Sequence, residues 1–106
     1  MAIYKMDDGI WVNTDKAQAK WDGKTEWDGN QHICVHTLDC NARETLYMSA
    51  KGRYYIESWH EWDKRTAINF REARWADDDE EVVGWLILNG SAVPEGLDGF
   101  TNDMIE

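Results

Sequence analysis

The run Asp77-Asp78-Asp79-Glu80-Glu81, followed by Val82-Val83-Gly84-Trp85-Leu86-Ile87-Leu88 and then Asn89-Gly90, fixes one element of the fold by itself. Acidic side chains accept from the free N–H groups of a first helical turn and complement the helix dipole. A glycine just past the last apolar residue supplies the left-handed stop. The pattern predicts a helix over 78–89, and Val82, Trp85, Leu86 and Asn89 recur at helical spacing on the side that should lie across a sheet. Pro94 keeps the chain from resuming a helix. Residues 91–106 read as a partly ordered acidic tail with only Leu97, Phe100, Met104 and Ile105 to anchor it.

The sheet is announced by a hairpin. Glu44-Thr45-Leu46-Tyr47-Met48-Ser49 and Arg53-Tyr54-Tyr55-Ile56-Glu57-Ser58-Trp59 are two β-rich runs separated by Ala50-Lys51-Gly52, with glycine where a three-residue loop needs a left-handed residue. A further strand is expected over 66–73 in the same antiparallel sheet, and another over 15–21, ending at the turn Asp22-Gly23. Trp27-Asp28-Gly29 echoes Trp21-Asp22-Gly23 and marks a second strand end. From His32 to His36 the residues alternate, which predicts a strand with His32, Cys34 and His36 on one face and Ile33 and Val35 on the other. The expected fold class is α+β: one domain over 1–106, a small antiparallel sheet of about four strands and one C-terminal helix packed on it.

Charge narrows the function classes. The 106 residues carry a net charge of −10, unevenly placed: residues 1–76 hold 12 acidic and 11 basic side chains, whereas 77–106 hold 9 acidic ones and no Lys, Arg or His. Such a surface repels phosphates, so direct binding to nucleic acid or to anionic lipid is not expected. No apolar run approaches the roughly 20 residues of a membrane span, and the start Met1-Ala2-Ile3-Tyr4-Lys5-Met6 lacks the apolar stretch of a secretory signal. A cytoplasmic location is the expectation, with Cys34 and Cys40 reduced. Seven Trp, four Tyr and two Phe are a heavy aromatic load for so short a chain, and they are expected to supply much of its core.

His32-x-Cys34-x-His36-x-x-x-Cys40 has metal-ligand character, since alternate side chains of a strand project from one face and Cys40 could return from the following turn toward a zinc ion. Its spacing matches no established zinc module, and the bland reading is a half-exposed strand. A histidine-activated cysteine is the other chemistry these residues allow, although no nucleophile signature surrounds either thiol. The glycines are isolated at turns, so no phosphate loop exists, and no carboxylate pair is marked for acid–base work.

Leu46-Tyr47-x-Ser49-x-x-Gly52-x-Tyr54, then Ser58, Trp59 and Trp62, then Glu80, Glu81, Trp85-Leu86, Asn89-Gly90, Pro94 and Leu97 resemble the pattern of a broad group of short uncharacterised bacterial and phage-type proteins. The resemblance covers about residues 44–97 and implies a small sheet-and-helix fold without a known chemistry. In size and charge the chain is also similar to small acidic phage inhibitors of restriction and CRISPR effectors. That similarity implies an acidic, nucleic-acid-mimicking inhibitor whose partner is a protein with a basic cleft. The candidate partner-binding residues are Asp77, Asp78, Asp79, Glu80, Glu81, Glu95 and Asp98, with Trp59 and Trp62 as aromatic anchors. Asp77 to Glu81 have a structural use as a helix start, whereas Glu95, Asp98, Asp103 and Glu106 have none. The alternatives are a metal- or thiol-dependent protein built on the His/Cys cluster and a structural protein of unspecified partner.

Overall fold

The computed structural model describes residues 2–38, 42–63, 68–94 and 97, with the side chains of 61–63 and 68–70 left out. The element order is β1 (Ile3–Lys5), β2 (Trp11–Asn13), a 3-10 turn (Thr14–Lys16), β3 (Ala19–Asp22), β4 (Thr25–Trp27), β5 (His32–Cys34), β6 (Ala42–Met48), β7 (Tyr54–Asp63), β8 (Ile68–Trp75) and α1 (Asp79–Asn89). Every strand pairing is antiparallel. The central sheet runs β3-β6-β7-β8, and β1-β2 and β4-β5 form two separate ribbons.

The β6–β7 hairpin forms where its glycine requires. Ser49 and Arg53 close the loop, with Ser49 N–H donating to Arg53 O at 2.8 Å, and Gly52 takes φ 87°. Alternation along the strands then makes two cores. Leu46 and Ile56 face α1, where Val82, Val83, Trp85 and Leu86 complete a buried cluster with Leu97, flanked by Trp21 and Tyr54. Tyr47 and Tyr55 face the opposite way and stack at 5.1 Å under Val12 and Met6 of the β1–β2 ribbon. The sheet is therefore a middle layer, with the helix on one face and the ribbon on the other.

The helix follows its capping residues. Asp78 is the N-cap, extended at φ −159°, and its carboxylate accepts the Glu81 N–H at 2.8 Å. Gly90 is left-handed at φ 72°, and Ser91 N–H returns to Leu86 O at 3.0 Å. Buried Asn89 then fastens the helix end to the sheet. Its Oδ1 accepts the Lys24 N–H at 2.5 Å and stands 3.1 Å from His36 Nε2, while its Nδ2 donates to Asp22 O at 3.2 Å and to Ser91 Oγ at 2.8 Å. Beside this clamp, Gly23 N–H donates to Glu44 O at 2.9 Å, and a Cβ on Gly23 would collide with that carbonyl oxygen.

Two expected strands are shorter than the alternation suggests. In place of a strand beginning at 15, residues 14–16 form a 3-10 turn, because the Asn13 side chain accepts the Asp15 N–H at 3.0 Å and offers the backbone a local alternative to a ladder. The strand expected from His32 to His36 stops at Cys34. Leu38 N–H turns back to Cys34 O at 2.8 Å and Leu38 itself is left-handed at φ 56°, so His36 lies in a turn. The strand expected at 66–73 is β8, from Ile68; residues 66 and 67 lie outside the described residues. So does the tail beyond Pro94 apart from Leu97, which is buried.

Candidate functional site

The acidic helix start divides by what each carboxylate does. Asp78 is committed to its cap, and Glu81 accepts from Arg74 Nη1 at 2.6 Å across from β8. That hydrogen bond to Glu81, more than any other influence, holds the Arg74 guanidinium above its ordinary pKa. Asp77, Asp79 and Glu80 are exposed and form no ion pair among the described residues. Asp77 and Asp79, with Asp78, line an open groove of about 310 Å³, together with Lys51, Gly52, Arg53 and Tyr54 at the β6–β7 loop and with Val82; Glu80 lies outside that lining. The opposite wall of the groove is therefore basic, and Arg53 is itself occupied. It donates to Asp8 Oδ2 at 2.8 Å and lies 3.8 Å from the centre of the Trp75 ring. The Arg53 hydrogen bond, helped by Trp75 and the Ile10 amide, holds the Asp8 carboxyl below the usual carboxylate range.

Trp59 is not among the described residues that line this groove. Trp59 has the alternation of Tyr55 and Glu57, so it sits on the ribbon side of the sheet, in register between Arg43 and Arg71. The side chain of Trp62 lies outside the described residues, as do Glu95 and Asp98. Other rings that the composition offered for binding serve the core. Tyr54 packs against Trp21 at 6.1 Å on the helix side, and Tyr55 and Trp75 meet edge-on at 5.9 Å on the ribbon side.

Beside Trp59's row a second, polar cleft of about 370 Å³ opens between the ribbon and the sheet, lined by Thr14, Asp15, Lys20, Thr45, Tyr47, Glu57 and Arg71. Tyr4 donates to Glu57 Oε2 at 2.5 Å. Burial, the bond to Glu57 and the Glu57 charge all push the Tyr4 hydroxyl far above its ordinary pKa, and burial raises Tyr47 as well. A tyrosine so held keeps its proton beyond the ordinary tyrosine range and donates it to Glu57 in a hydrogen bond. The pair fastens the ribbon to the sheet. Sequence reading missed this cleft because its lining comes from the 3-10 turn, β3, β6, β7 and β8 together. The alternation of Tyr47, Tyr55 and Glu57 is its sole local signal.

The His/Cys residues separate. His32 is exposed, with its ring edge-on to Trp27 at 5.2 Å. Cys34 is fully buried. His36 stacks on the Trp85 indole at 4.0 Å and 4° and meets Asn89. Cys40 lies outside the described residues. Among the described residues no group of three His, Cys, Asp or Glu side chains is placed to hold a metal ion. No described helix is long and apolar enough to cross a membrane. Comparison of the chain with family models, curated proteins and solved structures finds no match.

Proposed function

We propose that the chain is a non-enzymatic, acidic protein-binding module that occupies the basic cleft of a nucleic-acid-processing defence protein, of the restriction or CRISPR type, and inhibits it. The observation that supports this reading most is the division of labour at the helix start. Asp78 and Glu81 have folding partners, while Asp77, Asp79 and Glu80 are left exposed, the first two of them lining an open groove. Carboxylates fixed on a rigid helix end present negative charge at set spacings without an entropic cost of ordering, and the −9 of residues 77–106 steers a basic partner toward them. The thiol-dependent alternative lacks comparable support, since Cys34 is sealed in the interior and His36 is stacked on Trp85 and bonded to Asn89.

The test is inhibition of DNA cleavage by purified restriction and CRISPR effectors, read for the native chain and for an Asp77→Asn, Asp79→Asn, Glu80→Gln variant. Loss of three exposed charges should weaken inhibition at least about tenfold at low salt, equivalent to about 1.4 kcal/mol. A variant that inhibits as well as the native chain would remove the helix start from the interface.

A further inference from the structure

We propose that the free edge of β8 pairs with β8 of a second copy of this chain, in one register, joining two four-stranded sheets into one. Among the described residues β8 ends the sheet, with β7 on one side and no strand on the other. An edge of this length, Ile68–Trp75, is a template for another strand unless something blunts it.

The ladder shows which groups face outward. Ala76 N–H donates to Tyr54 O at 3.1 Å, so position 76 turns its amide toward β7. By antiparallel alternation 74 and 72 do the same, opposite Ile56 and Ser58, and Arg71, Ala73 and Trp75 direct N–H and C=O to the open side. The Trp75 carbonyl receives only the Arg74 guanidinium, at a long 3.4 Å.

Among the registers centred on 71 to 74, which overlap most of the strand, side-chain charge selects one. A two-fold axis perpendicular to the sheet keeps each face on its own side, so residues that oppose one another across the axis share parity. Centred on 71 the axis sets Arg71 against itself; on 72, Glu72 against itself; on 74, Arg74 against itself. Like charges directly opposed destabilise a pair of strands. Centred on 73, Ala73 meets Ala73 of the second copy, Glu72 meets its Arg74, and Arg74 meets its Glu72. That axis also falls on an outward-facing residue, as a closely hydrogen-bonded pair requires, and lets Arg71 and Trp75 exchange bonds on either side, about six ladder bonds in all. Arg71, Glu72 and Arg74 are exposed. Arg74 gives Glu81 one donor, and the guanidinium fork has others left for Glu72 of the second copy.

Sedimentation equilibrium of the full chain tests this. The native protein should approach twice 12.4 kDa as its concentration rises toward about 1 mM, where specific but weak association is populated. Glu72→Arg alone and Arg74→Glu alone should each stay at the monomer mass, and an equal mixture of the two should recover the dimer, because the mixed pair sets unlike charges opposite at both positions. Ala73→Pro, which removes an outward N–H, should also be monomeric with an unchanged near-ultraviolet dichroism spectrum. A native chain that remains monomeric throughout overturns the proposal. So does a dimer that both charge reversals leave intact, or a mixture that fails to recover it.

Discussion

Replacing Asn89 by alanine should be among the most damaging changes to this molecule that leave its apolar core untouched. One side chain, 8% exposed, holds Lys24 N–H, Asp22 O, Ser91 Oγ and His36 Nε2 together where the helix end meets the β3–β4 connection. Alanine keeps the helix but leaves the Lys24 donor and the Asp22 acceptor without partners, at about 1–3 kcal/mol for each unsatisfied buried group. Both sites are part-buried and water can reach them in the variant, so the lower half of that range applies, and the sum is about 2–4 kcal/mol. With an unfolding entropy of about 2.1 cal/mol/K per residue, a chain of 106 residues loses roughly 4–5 °C for each kcal/mol. The melting temperature of Asn89→Ala should fall by about 9–18 °C. Urea unfolding followed by Trp fluorescence should give the same free energy with an unchanged m-value. Amide exchange isolates the clamp, because the Lys24 N–H should lose its protection relative to Gly23, whose own bond to Glu44 is preserved. A loss below about 1 kcal/mol, or a Lys24 amide as protected as before, would refute the assignment of Asn89 as the joint.

Asp78→Ala should cost about 1 kcal/mol as a lost N-cap, whereas Asp77→Asn, Asp79→Asn and Glu80→Gln should leave thermal stability nearly unchanged; melts of the separate variants check the contrast. Gly23→Ala should destabilise by about 1–3 kcal/mol, because its Cβ meets the Glu44 carbonyl and either strand must move; a denaturant titration reads it. All four tyrosines are held above their ordinary pKa, Tyr55 pushed up to about 12, in each case with burial as the first cause. The folded chain therefore keeps them protonated where the unfolded chain ionises. Their contribution is intact below pH 10 and declines as pH rises through the raised folded-state values, that of Tyr55 at about 12. Absorbance at the tyrosinate band should thus rise later than for four free tyrosines, with Tyr4 and Tyr55 the last to ionise; a titration curve that matches four ordinary tyrosines would contradict the packing described.

The helix and the central hairpin were legible because their signals are local. A capping aspartate, an apolar stripe and Gly90 lie within thirteen residues, and Gly52 marks its own turn. The β1–β2 ribbon was missed although Ile3-Tyr4-Lys5 and Trp11-Val12-Asn13 flank Asp7-Asp8-Gly9; its strands are three residues long, too short for alternation to register. The His/Cys pattern misled for the opposite reason. Alternation over five residues suggests a continuous strand, but the turn that begins at Val35 sends His36 to a ring stack on Trp85, a contact made 49 positions away in sequence. The same distance hides the roles of Asn89 and Glu57, each of which acts on partners from several elements. Charge was legible in total and unassigned in detail. Among the described residues, the cap at Asp78 and the Arg74 bond to Glu81 separate two acids with a folding partner from Asp77, Asp79 and Glu80, which are exposed.

The most direct measurement of the central claim is the salt dependence of inhibition by the native chain against an effector nuclease it blocks, taken from about 50 to 500 mM NaCl, over which the Debye length falls from about 14 to 4 Å. Inhibition carried by Asp77, Asp79 and Glu80 should weaken steeply across that range, and the variant lacking those three charges should show a much shallower slope. Equal slopes for the two proteins, or inhibition indifferent to salt, would contradict an acidic interface at the helix start.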